Sequence, residues 1–306
     1  MCDSFVQIKT IKDTKTIPPE LQIDARIVYH ELKEVEITVQ GIIEKVMSEG
    51  DSGLRELTEQ FDHCRINDFI ISNIDLDCAW RQTDVAFRNT VEQIVQTVRD
   101  FHSKQLEHSK CFSRNQSILG EIISPIESIA AYVPGGRASY PSSVIMTVIP
   151  AQIAGVKNIL LITPPHSNGE VSKDVLAIAH YLGISKVVRA GGAQAIAAVA
   201  FGTESIPRVD KVVGPGNIYV TVAKRLLYGI IGIDSLAGPS EVVIIADEDC
   251  QPDWVALDLL AQAEHDPLSR AILFSTSDKV ITQVHKAIQG ELKSHPLPFV
   301  KAVPIY

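Results

Sequence analysis

The sequence predicts an α/β protein in which a helical N-terminal region leads into a doubly wound parallel sheet. Three observations carry this. Charged and apolar residues alternate at helical spacing through roughly the first 120 residues. From about residue 128 the texture changes to short apolar runs bounded by Gly and Pro clusters. Between most of those runs lie segments of helical character.

In the N-terminal region the helical spacing is clear in VEITVQGIIEKVMSEG and in DVAFRNTVEQIVQTVRDFHSKQLEH. In the second, Phe87, Val91, Ile94, Val95 and Val98 approximate one apolar stripe, the pattern of a helix packed on a core. The later apolar runs are SIAAYV, NILLIT, KVVRA, VDKVV, VVIIA and AILFS, and SSVIMTVIPAQIAGV, SKDVLAIAHYLG and AQAIAAVAFG read as helices among them. Strand, turn, helix, strand at roughly 20 to 30 residue spacing is the signature of βαβ units. Ligands of such sheets bind at the carboxyl ends of the strands. A second Gly and Pro cluster, GIDSLAGPSE, is where a discontinuous first domain would resume after an inserted one.

Composition narrows the partners. The chain has 306 residues, 45% hydrophobic and 21% charged, which suffices for a large core. The formal net charge of -9, from 28 Lys+Arg and 37 Asp+Glu, argues against nucleic acid, whose phosphates need clustered bases. MCDSFVQIKTIKDTK lacks the apolar core of a signal peptide, and no window approaches the roughly 18 apolar residues of a spanning helix. The expectation is a soluble, cytoplasmic protein. Cysteines at 2, 64, 78, 111 and 250 are odd in number and widely spaced, neither a disulfide framework nor a cysteine zinc site.

Five short motifs carry candidate chemistry. Tyr132-Val133-Pro134-Gly135-Gly136 follows a strand, and a glycine pair there serves either as a tight βα turn or as a close approach to a phosphate. Gly191-Gly192-Ala193-Gln194-Ala195 repeats the arrangement, with Gln194 placed to point an amide into the crevice; the spacing is not GxGxxG. Gly214-Pro215-Gly216-Asn217 follows VDKVV, and Asn217 is either a helix N-cap or a ligand contact, capping being the simpler role. Gly238-Pro239-Ser240-Glu241 offers a serine for substrate contact or plain turn chemistry, without a GxSxG elbow. In Gln262-Ala263-Glu264-His265, positions 262 and 265 share one helix face and could reach one cation, though two ligands do not make a zinc site.

Taken in order, YVPGG, GGAQAIAA, GPGN, AGPSEV and LLAQAEH resemble the histidinol dehydrogenase family, and GDSGLRELTEQFD resembles its N-terminal helical region. The resemblance implies NAD-dependent oxidation of L-histidinol to L-histidine through the aldehyde, with zinc and NAD as cofactors and a homodimer as the assembly. It implies NAD contacts at Tyr132, Gln194 and Asn217, substrate contact at Ser240, and zinc and substrate contacts at Gln262 and His265. It also implies two Rossmann-like domains, the second inserted into the first: 1–131 with 237–306, and 132–236.

The family takes its acid-base glutamate and histidine from a Gly-Pro-Glu-His segment, and an aspartate and a final histidine further on complete its zinc shell. This sequence runs to Val303-Pro304-Ile305-Tyr306 without a Pro-Glu-His, so no catalytic residue is assigned and a C-terminally truncated form with impaired activity is expected. Two other readings stay open: a related dehydrogenase of another small alcohol, and a non-catalytic scaffold that binds nucleotide or dimerises.

Overall fold

The computed structural model describes residues 25–135, 140–236, 241–263 and 269–294, with side chains from residue 32 onward. The chain divides into two compact units, Tyr29–Leu236 and the pair of segments Met1–Val28 and Ala237–Tyr306.

Four helices come first: α1 (Ala25–Glu49), α2 (Asp51–Asp62), α3 (Asn73–Arg81) and α4 (Val85–Ser103), with the short strand β1 (Ile70–Ile71) before α3. Side-chain caps start two of them. Ser72 accepts from the Asp75 amide at α3, and Asp84 accepts from the Phe87 amide at α4. Along α4 the expected stripe buries Val91 and Val95, while Ile94, at its margin, stays 41% exposed.

The helical reading to about residue 120 needs correction. After Ser103 the chain forms a hairpin, β2 (Lys110–Arg114) paired antiparallel with β3 (Ser117–Glu121). Its two loop residues, Asn115 and Gln116, both have positive φ, at 48° and 64°, the backbone that matches a tight two-residue turn to strand twist.

Next comes the alternation that the apolar runs predict: β4 (Ser128–Tyr132), α5 (Pro141–Ile153), β5 (Asn158–Thr163), α6 (Lys173–Tyr181), β6 (Lys186–Arg189), α7 (Gly192–Phe201) and β7 (Lys211–Val213), continued by α8 (Ile218–Leu227) and by β8 (Gly232–Ile233), which no apolar run marks. These strands join β1 in one sheet of order β1-β6-β5-β4-β7-β8. Every neighbouring pair is parallel except β1 with β6. Counted along the chain from β4, the parallel strands run 3-2-1-4-5, the order of a Rossmann-type sheet, and the order reverses between β4 and β7.

Both faces of the sheet are covered, so successive residues of a strand enter different cores. Ala130 and Tyr132 pack with α1, α2, α7 and α8. Ala131 and Val133 pack with α3, α4, α5 and α6. The division expected from sequence grouped 1–131 with 237–306. In the structure the helices of that first span instead cover the six-stranded sheet, because their apolar faces, Leu54 and Leu57 in α2 and Leu76 in α3, belong to these two cores.

In the second unit β9 (Glu241–Ile245), α9 (Pro252–Ala263), β10 (Arg270–Phe274) and α10 (Asp278–Ser294) form one βαβ unit and a closing helix. β9 and β10 are parallel. Their core is built from Val255, Leu259, Leu260, Ala271, Leu273, Val280, Val284 and Ile288.

Candidate functional site

The first three motifs open at the carboxyl ends of β4, β6 and β7, all strands of one sheet. Gly214, in the turn after β7, has φ +111°, and a Cβ there would overlap the carbonyl oxygen of Tyr132. Only glycine lets the two strand ends approach so closely at the point where the strand order reverses. Gly191, after β6, lies so near Pro164, after β5, that a Cβ would overlap its ring. The turns after β4, β5, β6 and β7 therefore form one continuous rim.

Tyr132 joins two of the motifs directly. Its hydroxyl accepts the N–H of Gly192, the first residue of α7, at 3.1 Å. Burial pushes this phenol up to about 12, a rise that the Gly192 amide opposes and the charge of Asp62 adds to, so it is neutral across the physiological range.

Gln194 sits in the first turn of α7 and is 2% exposed. Its amide folds back over the turn: Oε1 lies 2.5 Å from where a Cβ on Gly192 would be. Asn217 is the N-cap of α8, its Oδ1 accepting from the amides of Tyr219 and Val220, both at 3.1 Å. That is the simpler of its two expected roles, and it leaves the Asn217 Nδ2 donor outside the cap.

The other candidates fall differently. Gln262 is half-buried near the end of α9, its Nε2 3.4 Å from Ser269 Oγ. Gly136, Ser240 and His265 lie outside the described residues. Among the described residues no group of three or more His, Cys, Asp or Glu could hold a metal ion. No helix among them is long and apolar enough to cross a membrane.

Three acidic and basic side chains that motif reading does not single out also bear on the rim. Lys224 and Asp234 form an ion pair in contact with Gly214. Asp62 ends α2, which runs antiparallel to α7: at the far end of the pair, the Asp51 amide donates to Glu204 at 2.7 Å and Ser205 Oγ donates to Asp51 at 3.0 Å. Asp62 therefore lies toward the glycine end of α7. Its Oδ2 is buried without a hydrogen-bond partner among the described residues, and burial pushes the carboxyl up to about 6 against a smaller opposing effect of His63. Asp62 lies within GDSGLRELTEQFD, so that segment was its only sequence signal; nothing in the sequence pairs Lys224 with Asp234. A cavity of about 730 Å³ opens at the opposite, amino ends of the strands, beside Ser128, Asn158 and Lys186. It is remote from the glycine rim.

The strand order and the shared rim define a Rossmann-type α/β protein. Residues 28–300 match the model of the histidinol dehydrogenase family. The chain belongs to that family. It is 47% identical over 264 residues to histidinol dehydrogenase of Listeria monocytogenes, covering 86% of this chain and 62% of the relative. It is 42% identical over 294 residues to that of Prochlorococcus marinus, covering 94% and 66%. The crystal structure of histidinol dehydrogenase from Elizabethkingia anophelis superposes with a TM-score of 0.80 at 33% identity, covering 94% of this chain and 66% of that one. The chain thus spans slightly less than two thirds of the length of these relatives.

Proposed function

We propose that the chain acts in the NAD-dependent oxidation of L-histidinol to L-histidine, with the glycine rim at β4, β6 and β7 as its NAD site. The observation that supports this is the rim formed by the glycine turns after β4, β6 and β7, which includes the point where the strand order reverses. The positive end of α7 opens at the same rim, where amides after Gly192, whose own N–H is taken by Tyr132, would suit a pyrophosphate.

In this reading Tyr132, Gln194 and Asn217 hold the dinucleotide. Gln194, 2% exposed in the first turn of α7, would offer its amide donor and acceptor to the ligand. Asn217 would offer its Nδ2 donor, since its Oδ1 is the atom that caps α8. NAD, when bound, would supply the hydride acceptor for both oxidations, one molecule for the alcohol and a second for the hydrated aldehyde, with a proton released at each. Ser240 is proposed as a substrate contact, and Gln262 with His265 as zinc ligands that also touch the substrate. A zinc shell takes three or four ligands, so further donors must join this pair.

The proposal extends to a cytoplasmic homodimer. The four described cysteines are free thiols, in keeping with a reducing compartment. The hairpin Lys110–Glu121 is exposed along its whole length and carries Phe112, Ile118 and Leu119 at 59%, 76% and 47% exposure. Such an apolar, two-stranded element is marginal alone and suits a second copy.

The test is titration of the purified protein with NAD, followed by NADH formation from L-histidinol and from unrelated small alcohols, with zinc content and sedimentation measured alongside. Saturable NAD binding that Gln194→Leu weakens supports the site. Binding unchanged by substitution at all three of Tyr132, Gln194 and Asn217 moves the nucleotide elsewhere. Zinc retained after Gln262→Leu with His265→Ala removes the proposed ligands.

A further inference from the structure

Gly214 stands at the reversal point of the sheet, and both of its backbone polar groups are held by side chains. Its N–H donates to Asp234 Oδ2 at 2.7 Å. Its carbonyl accepts from Lys224 Nζ at 2.8 Å. Lys224 and Asp234 are also ion-paired with each other, closing a ring around one residue. Lys224 comes from α8, the helix that the turn itself opens, and Asp234 follows the edge strand β8.

The lysine side chain is 2% exposed and the aspartate 33%. Taking an ammonium group out of water costs several kcal/mol, and apolar side chains of similar size often replace such pairs without loss of stability. Stability is therefore a weak reason for the pair to be here. Burial alone would raise Asp234, but Lys224 and the amides of Gly214 and Ser235 outweigh it and hold the carboxyl below its usual range. The three contacts close the ring around Gly214. What it fixes is one peptide orientation: at φ +111°, pressed against the Tyr132 carbonyl, Gly214 sets the direction in which Pro215, Gly216 and Asn217 leave the sheet.

We propose that Lys224 and Asp234 are positioning residues for the nucleotide site, holding the Gly214 peptide so that the Gly216-Asn217 end of the turn meets the ligand without itself being ordered by it. Neither side chain touches the ligand; both act through Gly214. The inference rests on the NAD reading above, and its consequence is an NAD affinity that depends on a pair that folding does not require.

The experiment compares the native chain with the double variant Lys224→Met/Asp234→Leu, which removes both charges and keeps apolar volume. NAD binding is measured by titration, the melting temperature by calorimetry, and amide exchange across residues 212–217 and 192–201 by mass spectrometry. The expected result is a melting temperature close to the native value with NAD binding weakened about tenfold, the factor that one lost hydrogen bond gives. Exchange should quicken at residues 212–217 and stay unchanged at 192–201. Native NAD affinity in the folded double variant overturns the proposal, as does unchanged exchange at the turn. A native chain that binds no NAD sinks the nucleotide reading instead, and the exchange result still decides the clamp. If the double variant does not fold, Asp234→Asn, which keeps an acceptor for the Gly214 N–H, replaces it: weaker NAD binding with quickened exchange at 212–217 supports the proposal, and native values of both overturn it.

Discussion

The Tyr132 hydroxyl accepts the first amide of α7, that of Gly192, so a strand ending in one glycine turn fixes the helix opened by another. Tyr132→Phe removes this acceptor and leaves an amide of the first helical turn unsatisfied in a buried setting. The expected cost is about 1–3 kcal/mol of stability, read by denaturant titration, with a weaker NAD titration beside it. An unchanged midpoint would mean that water replaces the phenol, and that the hydroxyl is no structural link.

Gly214→Ala should cost far more than a comparable change elsewhere. Its Cβ would overlap a backbone oxygen that cannot swing aside, in addition to the strain at positive φ. Gly183 also has positive φ, +74°, with nothing within 4 Å of where a Cβ would stand, and so isolates the strain alone. Expected losses are about 1 kcal/mol for Gly183→Ala and above about 3 kcal/mol for Gly214→Ala, the range of severe single substitutions. Equal losses in chemical denaturation would show that the β4 and β7 ends are not in tight contact.

Gln194→Leu should separate binding from stability. The native side chain is 2% exposed, so folding withdraws a polar amide from water, which opposes folding. Leucine of similar volume should leave the midpoint unchanged or raise it by up to about 1 kcal/mol, while NAD binding weakens about tenfold. A variant that is both less stable and unchanged in NAD binding would assign Gln194 to the core alone.

Asp62 makes stability depend on pH with a definite sign. Its carboxyl is raised from 3.8 to about 6, so the folded chain holds this proton more tightly than the unfolded one. Its contribution therefore favours folding below pH 4, and is lost as pH rises through about 6. Above that the charged form costs at most about 3 kcal/mol, and less because the group is partly exposed. Asp62→Asn should accordingly stabilise the protein at pH 7.5 and have little effect at pH 4. Thermal melts showing the gain only at acid pH would reverse the assignment.

The glycine turns were legible because each is a local pattern: an apolar run, a glycine pair or Gly-Pro-Gly, and a helix-forming stretch. The same locality revealed β5 in NILLIT and α7 in AQAIAAVAFG. The hairpin after α4 was not legible, since Asn115-Gln116 is not the glycine-containing pair that usually marks positive φ at both loop residues, and its exposed strands show no inside-outside alternation. The attachment of α1–α4 to the six-stranded sheet was hidden for another reason. An apolar helix face announces that it will be buried, but not which surface will cover it. The Lys224–Asp234 ring belongs with this second kind, since its partners sit on a helix and beyond a strand and meet only through the sheet.

The antiparallel fit of α2 on α7 has a consequence for how the chain reaches its fold during synthesis. The residues that join the two helices, Asp51 and Glu204, are 153 positions apart, so α2 emerges from the ribosome long before its partner surface exists. At roughly 5–20 residues per second that interval is on the order of ten seconds. For most of it, Val39, Val46, Leu54 and Leu57 lack the completed sheet and α7 that they pack against. The N-terminal helices are therefore the stretch most in need of chaperone cover, and slowing translation between residues 62 and 192 should lengthen their exposure.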